Sequence, residues 1–191
     1  MSKMNTTKLP RGIRFGCHDT RRNLPPVFST KRGEANFLGQ FERAYFADVK
    51  NAAKCVARGR EFSLDGYGRA DVIWLAWEKG TNNEDFTAVA LQHQVQIIAI
   101  EAKLKDWRKG LMQAARYRYF SNRAILVLPS QAASVAVRYL ETFRKLRVGL
   151  WEFDPRSASI IKHTTPRIQK PLSALAYTRA VKMISPRLKL G

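Results

Sequence analysis

The chain has 191 residues, 45% hydrophobic and 26% charged, a composition that fits one globular domain with a sizeable core. Its 34 Lys/Arg against 15 Asp/Glu give a net charge of +19 and a pI near 10.5, so a polyanionic partner is expected, nucleic acid before an anionic membrane surface. No run reaches the roughly 18 apolar residues of a membrane helix, and residues 1–15 hold no apolar core of signal-peptide length. A cytoplasmic or nucleoid-associated protein is therefore expected, neither secreted nor membrane-bound. Cys17 and Cys55 lack metal-like spacing and read as ordinary reduced thiols.

The charge is unevenly spread. Residues 1–33 hold eight Lys/Arg, among them Arg21, Arg22, Lys31 and Arg32, and a single acid, Asp19. Residues 155–191 hold eight Lys/Arg and no acid. Between them, 34–154 is nearly balanced, with eighteen Lys/Arg and fourteen acids. This reads as a globular body flanked by two basic arms, and such arms commonly contact phosphates.

In chain order, the N-terminal arm is punctuated by Gly and Pro and reads as irregular. Residues 34–58 read as a helix. They contain no proline, and Leu38, Tyr45, Val49, Ala52, Ala53 and Val56 fall on one side at about 100° per residue. Glu42 lies within that apolar stripe. Glutamate is almost never buried unpaired, so Glu42 is either an ion-paired residue or an acid facing a site. A short first strand is expected at 60–65, then a turn through Gly66 and Gly68. An almost continuous apolar strand follows from Arg69 to Trp77, with one acid, Asp71. Such runs fit central strands covered on both faces. Residues 78–93 read as a polar excursion.

The third strand, Val95 to Lys103, ends in Glu101-Ala102-Lys103. Two apart on a strand, Glu101 and Lys103 share a face, about 6.6 Å apart along it. An ion pair at a strand end explains them, and so does a site. Asp106 can cap a helix running to about Phe120. On it Gln113 and Tyr117 are neighbours, and Arg108, Lys109, Arg116 and Arg118 add positive charge. A strand at 123–129, a helix at 131–146, a strand at 148–154, a further strand at 157–162 and a basic amphipathic helix from Pro171 to Ile184 complete the chain. Mixed order with crossover helices predicts an α/β fold, its sheet covered on both faces.

Asp71 and Glu101 sit on the two most apolar strands, where burial penalises a carboxylate most. With the Ala102 carbonyl and water they would make a hard-cation site for Mg²⁺ or Mn²⁺. Lys103 beside the ion would orient a water or stabilise charge on phosphorus, and desolvation near a cation would depress its pKa. Hydrolysis of a phosphodiester is the reaction such a set serves best. Arg69, Lys105, Arg108, Lys109, Arg116 and Arg118, with the arm residues, are the expected backbone contacts. Tyr67, Trp74, Trp77, Trp107 and Tyr119 are either core or stacking surfaces for unpaired bases.

Gly68-Arg69-Ala70-Asp71, Glu101-Ala102-Lys103 and Gln113-Ala-Ala-Arg-Tyr117 together resemble the PD-(D/E)XK nuclease superfamily. The trailing Gln-x-x-x-Tyr is most similar to its RecB-like exonuclease branch. The resemblance spans about 34–154, with Ala70 in the place of the namesake proline and a long gap from Asp71 to Glu101. It implies a restriction-endonuclease-like αβββαβ core with a mixed central sheet. It implies Asp71 as the metal aspartate, Glu101 and Lys103 as the E-x-K pair, and Glu42 as the first-helix glutamate. Gln113 and Tyr117 are implied to border the site. The expected function is that of a Mg²⁺-dependent nuclease on DNA rather than RNA, working inside a larger nucleoprotein complex as phage, transposon and defence nucleases do. The alternatives are a catalytically inactive nucleic-acid-binding or assembly subunit on the same fold, and a protein that coats RNA.

Overall fold

The computed structural model describes residues 12–14, 30–49, 54–78 and 95–187. Arg21, Arg22, Cys17 and nearly all of the excursion at 78–93 lie outside these residues, as do the side chains of Lys31, Arg32, Cys55 and Trp77. Among the described residues, no helix is long and apolar enough to cross a membrane.

One mixed seven-stranded sheet runs in sequential order. Its strands are β1 (Gly12–Arg14), β2 (Lys54–Leu64), β3 (Gly68–Glu78), β4 (Gln96–Ala102), β5 (Arg123–Leu128), β6 (Val148–Asp154) and β7 (Ser159–Thr164). β2, β3 and β4 are antiparallel neighbours, as are β6 and β7. β4, β5 and β6 run parallel, each pair joined by helical crossovers, and β1 lies parallel to β2.

Helices cover both faces, which is why β3 to β5 read as unbroken apolar runs. On one face α1 (Thr30–Val49) sets Phe37, Leu38, Phe41 and Tyr45 against Val72, Trp74, Ile100 and Trp151. Their i, i+4 spacing makes that stripe. On the other face lie α2 (Trp107–Tyr117), α3 (Ser130–Ala136), α4 (Leu140–Leu146) and α5 (Ala174–Ile184), packed on Ile73, Leu75, Ile97 and Leu126.

Four elements differ from the sequence expectation. Residues 54–58, expected as helix, are strand, because β2 pairs with β3 from Lys54–Glu78 to Leu64–Gly68. A ladder to the most apolar strands outweighs the helical periodicity into which Ala52, Ala53 and Val56 fall. The N-terminal arm is not wholly irregular, since Gly12–Arg14 pairs with Arg58–Arg60. The helix expected at 131–146 is broken by a 3₁₀ turn at Val137–Tyr139, which brings Tyr139 onto Trp107 at a ring separation of 4.8 Å. The last helix starts after Ser173, whose Oγ accepts the Ala176 N–H at 3.1 Å, and not at Pro171.

Much of the stretch read as a basic C-terminal extension belongs to the body. β7 completes the sheet, and α5 buries Ala176, Tyr177, Ala180, Val181 and Ile184. The Tyr177 hydroxyl donates to the Val95 carbonyl at 2.9 Å, tying α5 to the start of the β4 segment.

Candidate active site

The site begins with a break in strand alternation. Side chains on a strand alternate faces. Ala57 packs on the α2 face, yet so do Phe62 and Leu64. On β3, Ile73 and Leu75 pack there, and so does Ala70, while Val72 and Trp74 face α1. Both strands therefore invert their alternation where Glu61 stands opposite Asp71, between the pairs Arg60–Val72 and Phe62–Ala70. Glu61 has φ 56, a left-handed conformation that a non-glycine residue adopts only under local strain.

The inversion releases Asp71 from either packed face at the end of its pairing with β4. The β3–β4 ladder runs as far as Val72–Ile100. One step on, the Asp71 side chain takes over as acceptor, receiving the Ala102 N–H on Oδ2 at 2.8 Å. The next amide, Lys103 N–H, turns the other way and donates to Val127 O at 3.1 Å. Asp71 thus ties the splayed strand ends together and brings its carboxylate beside Glu101-Ala102-Lys103.

Glu101 is 1% exposed and fully engaged. Its Oε1 meets Lys103 Nζ at 2.6 Å, and its Oε2 meets the Tyr117 hydroxyl at 2.5 Å. Tyr117 is also 2.5 Å from the Arg69 carbonyl oxygen, so α2 is pinned to both β3 and β4. Lys103 Nζ donates in addition to Ala102 O at 3.3 Å. The ammonium therefore sits between two oxygens expected to bind a metal.

Burial dominates the electrostatics. It raises the Asp71 carboxyl above the usual range, against the Ala102 N–H and Lys103, which lower it. Burial and the Asp71 charge push Glu101 up to about 7, partly offset by Lys103 and Tyr117. Burial alone would depress the Lys103 ammonium, but its contact with Glu101 and the charges of Glu101, Asp71 and Glu34 outweigh that and raise it. The depressed lysine expected beside a cation is thus not what the carboxylates alone produce. Burial and the Glu101 charge raise the Tyr117 phenol.

α2 supplies the wall over these groups. Asp106 caps it, accepting the Lys109 N–H at 3.0 Å. Gly110 lies so close that an added Cβ would sit 2.6 Å from Leu126 Cδ1 and 2.9 Å from Lys103 Cγ. Gln113 lies between Gly110 and Tyr117 on the same helical face. Its buried Oε1 has no hydrogen-bond partner among the described residues. An orphaned acceptor at this point suits a ligand or water held over Glu101 and Lys103.

Glu42 does not join the other site residues. It is 1% exposed and ion-paired to Arg58, at 2.5 Å, and to Arg60. The acid of α1 whose charge reaches the site is Glu34, which raises both Asp71 and Lys103 but ranks behind every other influence on them. It follows Gly33, where an added Cβ would lie 3.1 Å from Leu104 Cδ1. Glu34 opens the segment expected as helix and stands four residues before Leu38 on the same side, so the apolar stripe that marked Glu42 also runs through Glu34. The start of the helix is where an acid can clear the sheet end.

The expected phosphate contacts divide. Lys105, Arg108, Lys109 and Arg116 are exposed, and Lys105 and Arg108 line a groove of about 380 Å³ that begins beside Lys103, at Leu104. Arg108 lies over the Trp107 ring at 4.5 Å. Arg69 is half exposed and paired with Glu61 at 3.0 Å. Arg118 is a correction. It is 2% exposed, because its guanidinium turns inward to Ser121 and Gln169. Among the aromatic residues, Trp74 and Trp107 are core, while Tyr67 and Tyr119 pair at 5.3 Å with Tyr119 exposed.

Among the described residues, no group of three or more His, Cys, Asp or Glu side chains converges as a metal site. The donor set still suits a hard cation, which takes one or two carboxylates with carbonyl and water oxygens. Asp71 Oδ2 is used by Ala102, which leaves Oδ1 without a hydrogen bond among the described residues. The Lys103 ammonium already bridges Glu101 Oε1 and Ala102 O as a cation would. No family model matches the chain, and neither the curated proteins nor the solved structures give a significant match.

Proposed function

We propose that the chain is a Mg²⁺-dependent nuclease that hydrolyses phosphodiester bonds in DNA, on a restriction-endonuclease-like core. The observation that carries this reading is the convergence of Asp71, Glu101 and Lys103 at one end of adjacent buried strands. Burying two carboxylates and an ammonium this way is unfavourable for stability alone. It is reasonable where charge must be held ready.

A Mg²⁺ or Mn²⁺ ion held by Asp71, Glu101 and the Ala102 carbonyl would supply Lewis-acid polarisation of a phosphoryl oxygen and a lowered pKa for a bound water. Lys103, released from Glu101 and Ala102, turns its ammonium to the non-bridging oxygens of the scissile phosphate and stabilises their developing charge. Tyr117 holds Glu101 in place from α2, and Gln113 offers its unpartnered oxygen to a water or to Lys103. Lys105, Arg108, Lys109 and Arg116 grip the strand without reading its sequence. Such a protein acts in the cytoplasm or on the nucleoid, within a larger nucleoprotein complex. Supporting tests are cleavage of linear and circular DNA with Mg²⁺, Mn²⁺ or EDTA, and DNA binding that weakens steeply with salt.

A second reading is a catalytically inactive nucleic-acid-binding or assembly subunit. It is favoured by the closed arrangement of Glu101, with both oxygens engaged by Lys103 and Tyr117. Metal-dependent cleavage excludes it.

A further inference from the structure

A second cationic feature lies where the chain after β7 crosses the end of α2 and the start of β6. Arg118 is the first residue after α2, and it is buried. Its Nη1 donates to Ser121 O at 3.0 Å and its Nη2 to Gln169 Oε1 at 3.2 Å. Its buried Nε has no partner among the described residues. Arg147 Nη1 donates to the same Gln169 oxygen at 3.0 Å. Two guanidiniums therefore meet on one neutral amide oxygen. Arg147 holds φ 55 at the junction of α4 and β6, so its presence there is maintained against backbone preference.

Beside this pair is a cavity of about 270 Å³ lined by Arg144, Arg147, Arg167, Thr164 and Gln169, with no acid in its lining. Arg144 is paired with Glu141. Arg118, Arg147 and Arg167 have no carboxylate partner among the described residues. Of the three only Arg118 is buried, where a charge is ordinarily paired; Arg147 and Arg167 are exposed, and their guanidinium forks match the geometry of phosphate oxygens. Burial, and secondarily the Arg147 charge, hold the Arg118 guanidinium below the usual arginine range. A bound anion would relieve both penalties.

We propose that Arg147 and Arg167, backed by Arg118 across Gln169, form a binding site for one phosphate-class oxyanion, separate from the Asp71–Glu101–Lys103 centre. The site stands independently of the nuclease reading. Its oxyanion is either free or the phosphate of a nucleic-acid strand, and two arms of one experiment separate these sources.

In the first arm, thermal unfolding of the full chain is compared in sodium phosphate and in sodium chloride of equal ionic strength and pH. Phosphate at tenfold above its Kd raises Tm by about 3–6 °C in the wild type. The double variant Arg147→Gln/Arg167→Gln loses most of that rise. The control Arg138→Gln/Arg179→Gln, which removes two exposed arginines elsewhere, keeps it. No phosphate-specific rise in the wild type, or an equal rise in the two double variants, overturns the proposal. In the second arm, binding of a short single-stranded oligonucleotide is measured at one salt concentration. Weakening several-fold beyond the control identifies a strand phosphate. Unchanged oligonucleotide binding, with the phosphate response lost, identifies a free oxyanion.

Discussion

The Tyr117 hydroxyl lies 2.5 Å from Glu101 Oε2 and equally close to the Arg69 carbonyl oxygen. A phenol has one proton to donate, and both neighbours are acceptors. A proton on Glu101 satisfies all three groups, with the carboxyl donating to Tyr117 and Tyr117 donating to Arg69. Burial and Asp71 push Glu101 the same way, to about 7 from 4.5. An acid whose folded pKa is raised keeps a proton that the unfolded chain has released. Its contribution is therefore fully present at low pH and is lost as pH rises from 4.5 to about 7. The wild type should lose roughly 2–4 kcal/mol over that window relative to Glu101→Gln, read by denaturant unfolding at stepped pH. A difference of the opposite sign contradicts the assignment. Added Mg²⁺ should reverse the trend, because a bound cation favours the carboxylate.

Tyr117 and Gln113 should separate stability from activity. Tyr117→Phe removes the hydroxyl that links buried Glu101 to the Arg69 carbonyl oxygen and should cost about 1–3 kcal/mol. Gln113→Ala removes an oxygen that makes no hydrogen bond among the described residues, so its stability cost should stay under about 1 kcal/mol while cleavage falls. Urea unfolding and initial cleavage rates check both. Equal stability losses would mean that Gln113 is structural.

The two glutamates of α1 should behave oppositely. Glu42→Gln removes a buried carboxylate from its ion pairs with Arg58 and Arg60 and should destabilise by about 2–4 kcal/mol, the exposed Arg60 reducing the effect. Glu34→Gln should leave Tm near the wild-type value and change the metal concentration needed for half-maximal cleavage. If Glu42→Gln unfolds like the wild type, the ion-pair account of its burial is wrong.

How far the sequence could be read follows from these same residues. Ile97-Ile98-Ala99-Ile100 and Val72-Ile73-Trp74-Leu75 are buried on both faces, so composition alone marked them as central strands. The apolar stripe of α1 located Glu42 as buried but could not name its partners. Those partners, Arg58 and Arg60, sit on β2, whose first half was read as helix, so one misplacement produced the other. The inversion at Glu61 and Asp71 was not legible, because it depends on a left-handed non-glycine residue that no local preference announces. Glu34 stands four residues before Leu38 on the same side of the helix, a signal of the same kind as the one that marked Glu42.

Gly110 tests the close packing of α2 on the site. Alanine is ordinarily the better helix residue by about 1 kcal/mol. Here its Cβ would meet Leu126 and the Lys103 stem at distances real atoms do not reach. Gly110→Ala should therefore be net destabilising by about 1–3 kcal/mol and should lower cleavage by displacing Lys103. A stabilised, fully active variant would show that α2 sits further from β4 and β5.

The most direct test compares labelled single- and double-stranded DNA incubated with wild type, Asp71→Ala and Lys103→Ala in Mg²⁺, Mn²⁺ or EDTA. The account predicts cleavage by the wild type with either metal, none in EDTA, and a loss of about 10²–10⁴-fold in each folded variant. Cleavage that survives in Asp71→Ala and Lys103→Ala, or none by the wild type under any condition, would contradict it.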